Sequence, residues 1–135
     1  GLVGNEANSI AAGKRMLSSM CPTIVSKDGH TKLIVGSPGG STIITSVFQI
    51  ITDIIDFNMN AYDATQTCRF HSQWLPDLIY LEKECVEDSV RQALQEMGHT
   101  LKERSDIGKV ETILVTEKGI EAAADRRGDD SASGY

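Results

Sequence analysis

An isoleucine-rich stretch between residues 43 and 55 sets the strongest limit on the fold. Its apolar side chains recur at three- and four-residue intervals, which places them on one face of an α-helix. They are Ile43, Ile44, Val47, Phe48, Ile51, Ile54 and Ile55. Isoleucine has only middling helix propensity, so burial must hold such a helix in place. We therefore expect a helix packed on a β-sheet, with the hydroxyl of Ser41 capping its first turn.

Short β-prone segments surround this helix. Residues 23–26 and 31–35 flank Asp28 and Gly29, and Asp-Gly between two β-branched runs predicts a hairpin with a tight turn. Further strands are predicted at residues 78–83, 110–116 and 120–124, with a short extended piece from Leu101, and helices at residues 60–67 and 88–97. This alternation, together with the antiparallel hairpins, predicts an α+β fold and one domain over residues 1–135.

Composition excludes several classes of partner and site. The formal net charge is −6, from 13 basic and 19 acidic residues, whereas a nucleic-acid surface needs clustered Lys and Arg. No apolar run approaches the ~18 residues of a membrane-spanning helix. Cys21, Cys68 and Cys85 fit neither a disulfide framework nor a zinc pattern, so we expect free structural thiols. The tail from Asp125 is charged and rich in small residues.

Three motifs, in this order, match one known family. Residues 14–25 read KRMLSSMCPTIV, residues 36–41 read GSPGGS, and residues 69–77 read RFHSQWLPD. By these motifs and their spacing the chain resembles the γ-glutamyltranspeptidases over nearly its whole length. Four positions depart from the family pattern, in place of the usual Pro, Ser, Arg and Pro: Met16, Cys21, Thr42 and Cys68.

The resemblance implies a fold and an activity. Family members are N-terminal nucleophile hydrolases with an αββα sandwich, whose precursor cleaves itself into a large and a small subunit. The new N-terminal Thr of the small subunit attacks the γ-glutamyl amide of glutathione or a related donor. The acyl group then passes to water, an amino acid or a peptide. No cofactor is implied, and family members work in the periplasm or outside the cell.

The same resemblance implies that this chain is the C-terminal portion of the small subunit. The nucleophilic Thr would then lie upstream, and the isolated chain is expected to be inactive. Its partners would be the γ-glutamyl donor and the rest of the precursor, meaning the large subunit and the start of the small subunit. Cut from those parts, the chain is expected to expose sheet edges and its isoleucine-rich helix face, and to be a homo-oligomer or a poorly soluble monomer.

The resemblance also assigns site residues. Gly39 and Gly40 match the glycine pair that forms the oxyanion hole, and they precede a predicted helix N-terminus that favours negative charge. Ser18 and Ser19 match the serine pair that binds the α-carboxylate of the donor. From the residues alone, a tight glycine turn and a solvated polar loop would be the favoured interpretations of these two pairs.

His71 is the residue that most invites a different catalytic interpretation. With Cys68 it has C-x-x-H spacing, but that pair supplies only two metal ligands, and no partner for a catalytic His can be placed. We expect His71 to brace a loop together with Arg69, Trp74 and Asp77.

Two other functions remain open at this stage. The chain could be a non-catalytic binding or assembly module that keeps the fold, since the discriminating nucleophile is not part of it. It could also belong to a relative with another substrate, such as a cephalosporin acylase or a capsule depolymerase. The serine pair favours a donor with an α-amino-acid group.

Overall fold

The computed structural model describes residues 6–16, 18 and 20–134. The strands are β1 (Thr23–Lys27), β2 (His30–Gly36), β3 (Phe70–His71), β4 (Ile79–Glu82), β5 (Leu101–Arg104), β6 (Glu111–Thr116) and β7 (Gly119–Ala123). The α-helices are α1 (Thr42–Ile55), α2 (Ala61–Gln66) and α3 (Asp88–Glu96), and a 3-10 turn lies at Glu6–Asn8. The predicted α+β class is confirmed.

A four-stranded antiparallel sheet in the order β1-β2-β6-β7 is the larger of the two sheets. Asp28 and Gly29 connect β1 to β2 with φ of 53° and 78°, and the pair of Lys27 with His30 closes the hairpin. Two consecutive left-handed residues give the turn a twist that matches the strands. The predicted hairpin is therefore confirmed.

Helix α1 packs one face on this sheet, as predicted. The buried cluster between them contains Leu33, Val35, Ile43, Val47, Ile50, Ile54, Ala64 and Val110. Full burial of one valine, leucine or isoleucine side chain stabilises the fold by ~1.5–3 kcal/mol. Burial of this kind offsets the weak intrinsic helix propensity of a segment so rich in isoleucine.

A second apolar stripe on α1 faces away from the sheet. Ile44, Phe48 and Ile55 are 69%, 64% and 50% exposed, and they follow one another at spacings that keep them on one side of the helix. Exposed isoleucines also occupy paired positions on three neighbouring strands, on the sheet face opposite α1: Ile24, Ile34 and Ile113. Both outer surfaces of this helix–sheet unit are therefore apolar.

The smaller sheet has the order β3-β4-β5, with β3 antiparallel and β5 parallel to β4. Pairing of β3 with β4 places the residue before Arg69 close to the segment that follows Glu82. Cys68 and Cys85 meet there with Cα atoms 5.3 Å apart and form a disulfide, within the usual range for such a bond. The prediction of free thiols is wrong for this pair, and Cys21 remains free.

Candidate functional site

Two consecutive glycines turn the chain from β2 into α1. Gly39 and Gly40 have φ of 138° and 62°, a region that residues with a Cβ rarely adopt. A Cβ on Gly39 would also lie 2.5 Å from Oγ1 of Thr42. This turn therefore depends on glycine for its backbone angles and, at Gly39, for space.

Ser41 precedes α1 but does not cap it with its side chain, so the predicted hydroxyl cap is wrong. Its φ and ψ of −66° and −20° are helical, whereas a capping residue is extended. The N–H groups of Thr42 and Ile43 instead donate to the carbonyls of Gly39 and Gly40, at 3.3 and 3.2 Å. The hydroxyl of Thr42 adds a second bond to the Gly39 carbonyl at 3.0 Å.

The N–H groups of Gly39 and Gly40 are the notable part of this turn. Within residues 6–16, 18 and 20–134, neither N–H donates to any partner. They stand before the N-terminus of a 14-residue helix with no acidic residue in its first turn. The helix dipole favours negative charge at that end. Two such N–H groups can together stabilise an oxyanion.

A cleft of about 400 Å³ opens beside this turn. Its walls are residues 20–22, residues 36–40 and Ile43. Cys21 in this wall is half-buried, and its Sγ lies 3.8 Å from Oγ1 of Thr23. The fold therefore brings the segment that follows Ser18 to the same cleft as the glycine pair.

Ser18 lies at the exposed end of that segment. Its Oγ accepts a hydrogen bond from the N–H of Met20 at 3.4 Å, and no acceptor for its own proton occurs in the described chain. The hydroxyl can therefore still donate to an anion. Ser19 lies outside the described residues.

The surroundings of His71 fit a structural role, as expected, and not a catalytic one. Its side chain is buried, Nδ1 lies 2.8 Å from Oγ1 of Thr45, and Nε2 lies 3.0 Å from Oε1 of Gln73. Both ring nitrogens are thus engaged. Trp74, one of the residues expected to brace the loop with His71, is 79% exposed. The prediction that it braces the loop is therefore wrong.

Four buried charged residues form a cluster that the sequence analysis missed. Arg69 pairs with Asp125 at 2.6 Å, and Arg127 pairs with both Asp125 and Glu82, at 3.0 and 2.5 Å. The guanidinium of Arg69 also donates to the carbonyls of Thr65 and Ile107. The start of the charged tail, at Asp125 and Arg127, is therefore anchored in the interior. The adjacent acidic and basic residues of the Asp-Arg-Arg sequence at 125–127 were the signal in the sequence that could have indicated an ion-pair cluster.

The carboxylates of this cluster are held in the ionised form. Burial alone would raise the pKa of Glu82, but hydrogen bonds from Arg127 and from the N–H groups of Ile107 and Arg69 keep that pKa below 4.5. Burial likewise opposes ionisation of Asp125, and bonds from Val110, Arg127 and Arg69 lower its pKa below 3.8. The two negative charges of the carboxylates therefore balance the two positive charges of the arginines within the cluster.

The described residues contain no group of three or more His, Cys, Asp or Glu side chains placed to hold a metal ion. Among the same residues, no helix has the length and apolar character to span a bilayer.

Comparison of the sequence with known proteins identifies its relatives. The γ-glutamyltranspeptidase family model matches residues 1–135. The glutathione hydrolase proenzyme of Escherichia coli is 44% identical over 100% of this chain, and that match covers 23% of the proenzyme. The corresponding proenzyme of Pseudomonas aeruginosa is 44% identical over 95% of the chain and 24% of its own length. The chain thus spans about a quarter of these curated relatives.

Solved structures similar to this chain belong to the same family. A γ-glutamyltranspeptidase mutant from Helicobacter pylori has 45% identity and a TM-score of 0.86, covering 95% of this chain and 71% of the solved chain. The enzyme from Pseudomonas nitroreducens has 41% identity and a TM-score of 0.87, covering 100% and 72%. These neighbours have the N-terminal nucleophile hydrolase fold. The chain belongs to the γ-glutamyltranspeptidase family.

Proposed function

We propose that this chain forms the donor-binding and oxyanion part of a γ-glutamyl transferase or hydrolase that acts on glutathione and related γ-glutamyl amides. One observation carries the proposal. The unpartnered N–H groups of Gly39 and Gly40 border a cleft that is also walled by residues 20–22, directly after the serine pair.

The proposed chemistry follows from these groups. Attack on the γ-carbonyl of the donor develops negative charge on its oxygen, and the N–H groups of Gly39 and Gly40 would stabilise that charge. One such donor is worth ~3–4 kcal/mol in the transition state. Ser18 and Ser19 would donate to the α-carboxylate of the donor, which fixes the reacting carbonyl near the glycine pair.

The nucleophile in this proposal lies in another part of the precursor. The match to about a quarter of the curated proenzymes and about 71% of a solved chain supports a chain that is one portion of a longer protein, and the family resemblance assigns residues 1–135 to the C-terminal portion of the small subunit. The partners are then the γ-glutamyl donor, the large subunit and the start of the small subunit. The isolated chain is expected to be inactive.

A periplasmic or extracellular location forms part of the proposal. The disulfide between Cys68 and Cys85 supports it, because such bonds persist mainly in oxidising compartments.

The proposal is tested in the full-length protein with Ser18→Ala and Ser19→Ala, using Ser26→Ala in the exposed hairpin as the control. With γ-glutamyl-p-nitroanilide as donor, we expect the KM of the two site variants to rise at least about tenfold, because a charge-assisted hydrogen bond contributes ~1.5–3 kcal/mol. The 4-aminobutanoyl anilide lacks the α-carboxylate, so its weaker turnover should change little.

Equal KM values for all three serine variants would contradict the donor-binding role. A full-length protein that turns over neither anilide would favour a non-catalytic module that keeps the fold.

A further inference from the structure

The segment between β5 and β6 contacts the glycine turn but does not line the cleft, and no role follows for it from the sequence motifs. Ionised side chains hold its backbone. The N–H of Ile107 donates to Oε1 of Glu82 at 2.7 Å, and its carbonyl accepts from Arg69 at 3.1 Å. The N–H of Val110 donates to Oδ2 of Asp125 at 2.8 Å. A loop fixed at these points has little freedom to shift.

Gly108 lies at the centre of this segment, with φ of 70°. Its Cα is 3.5 Å from the place where a Cβ on Gly39 would stand, so the two backbones are nearly in contact. A Cβ on Gly108 itself would lie 2.6 Å from Oγ of Ser46 and 3.0 Å from Oγ of Ser37. Gly108 therefore fills its space with backbone alone, and a side chain there would have to displace its neighbours.

A hydrogen bond strengthens the connection. The N–H of Lys109 donates to Oγ of Ser37 at 3.1 Å, while that hydroxyl donates to the carbonyl of Pro38 at 2.7 Å. Ser37 and Pro38 immediately precede the glycine pair. The turn is thus supported both by contact at Gly39 and by a hydrogen-bonded chain just before it.

We propose that Gly108 is a positioning residue, which transmits the rigidity of the buried charge cluster to the Gly39–Gly40 turn and so fixes the direction of its two N–H groups. This inference rests on the proposed oxyanion role of that turn. Donors to an oxyanion act over 2.7–3.1 Å, and a misplacement near 1 Å can reduce a rate ~100-fold. A Cβ on Gly108 would press on Ser46 and on Oγ of Ser37, two residues before Gly39, and a shift of Ser37 would move the turn that follows it.

The test is Gly108→Ala in the full-length protein, compared with Gly29→Ala. Gly29 has a similar φ of 78° but nothing within 4 Å of an added Cβ, so it reports backbone strain without steric pressure. Initial rates on γ-glutamyl-p-nitroanilide are normalised to the fraction of small subunit released from the precursor. We expect kcat of Gly108→Ala to fall at least about tenfold with KM within twofold of wild type, and Gly29→Ala to keep both values.

The double variant Gly108→Ala, Ser46→Ala supplies a second measurement, because it removes the nearest clashing atom. We expect it to recover part of the lost kcat. Unchanged kcat in Gly108→Ala, or a loss matched by Gly29→Ala, would overturn the inference while leaving the proposed function intact. A fall in kcat with a proportional rise in KM would also overturn it, since that pattern indicates general disruption. Inactive wild-type protein would defeat the proposed function itself.

Discussion

Arg69 and Asp125 form a fully buried ion pair at 2.6 Å although 56 residues separate them in the chain. Arg69 precedes β3 in the smaller sheet, and Asp125 follows β7 in the larger one. The same aspartate accepts a hydrogen bond from the N–H of Val110, the residue before β6. This pair therefore joins the two sheets and fixes the segment that contacts the glycine turn.

The ion pair predicts a large effect of Asp125→Asn on stability. The change leaves Arg69 and Arg127 in the interior with only Glu82 to balance them. Breaking a buried pair by removing one partner costs about 3–5 kcal/mol. The control is Glu103→Gln, which breaks the exposed pair with Arg91 and should cost at most ~1 kcal/mol. Thermal midpoints of the full-length variants compare the two, and equal midpoints would contradict a structural role for the cluster.

The same cluster predicts loss of stability in acid. The pKa values of Glu82 and Asp125 are lowered in the folded protein from ordinary values of 4.5 and 3.8. A lowered acid pKa contributes stability above the unfolded pKa, and this contribution is lost as pH falls through the folded pKa. We therefore expect the thermal midpoint of unfolding to decline once the pH is lowered beneath about 4.5. Asp53 and Glu111 have raised pKa values, through burial first, and oppose part of this loss.

The control for this pH dependence is again Asp125→Asn. It removes one of the two carboxylates, so its midpoint should decline less steeply over the same range. An equal acid decline in both proteins would assign the effect to other groups.

Two buried hydroxyls predict opposite results on truncation. Oγ of Ser46 is buried without a hydrogen-bond partner, so Ser46→Ala should be neutral or stabilising. Oγ1 of Thr65 donates to Oγ1 of Thr112 at 2.9 Å, and both side chains are buried. Thr112→Val therefore leaves a buried donor unpaired and should cost ~1–3 kcal/mol. Thermal midpoints test the contrast, and a lower midpoint for Ser46→Ala than for Thr112→Val would contradict it.

The apolar stripe on α1 predicts self-association of the isolated chain. Ile44 and Phe48 are exposed side by side on the helix face that points away from the sheet, and contiguous exposed apolar surface favours association. Sedimentation velocity of the isolated chain should detect oligomers, and Ile44→Lys with Phe48→Lys should reduce them. Ile10→Lys, at a fully exposed position outside the stripe, is the control. A compact monomer at all concentrations would contradict this expectation.

Local sequence signals predicted local structure well. The Asp28-Gly29 turn and the isoleucine spacing of α1 each depend on neighbouring residues, so both were predicted correctly. The hydroxyl cap at Ser41 failed because the glycine turn before it already continues into helical geometry. The Cys68–Cys85 disulfide depends on the pairing of β3 with β4, and the Arg69–Asp125 pair depends on how the two sheets pack together. Composition and spacing specify neither. The donor-site assignments came from family resemblance, since Gly39 and Gly40 alone also fit an ordinary turn.

The most direct test of the proposed function is release of p-nitroaniline from γ-glutamyl-p-nitroanilide by the full-length protein and by residues 1–135 alone. We predict turnover by the full-length protein and none by the isolated chain, because this portion would supply the oxyanion donors and donor contacts but not the nucleophile. Turnover by the isolated chain would contradict the proposed division of roles. Absence of turnover in both proteins would contradict the proposed enzyme function.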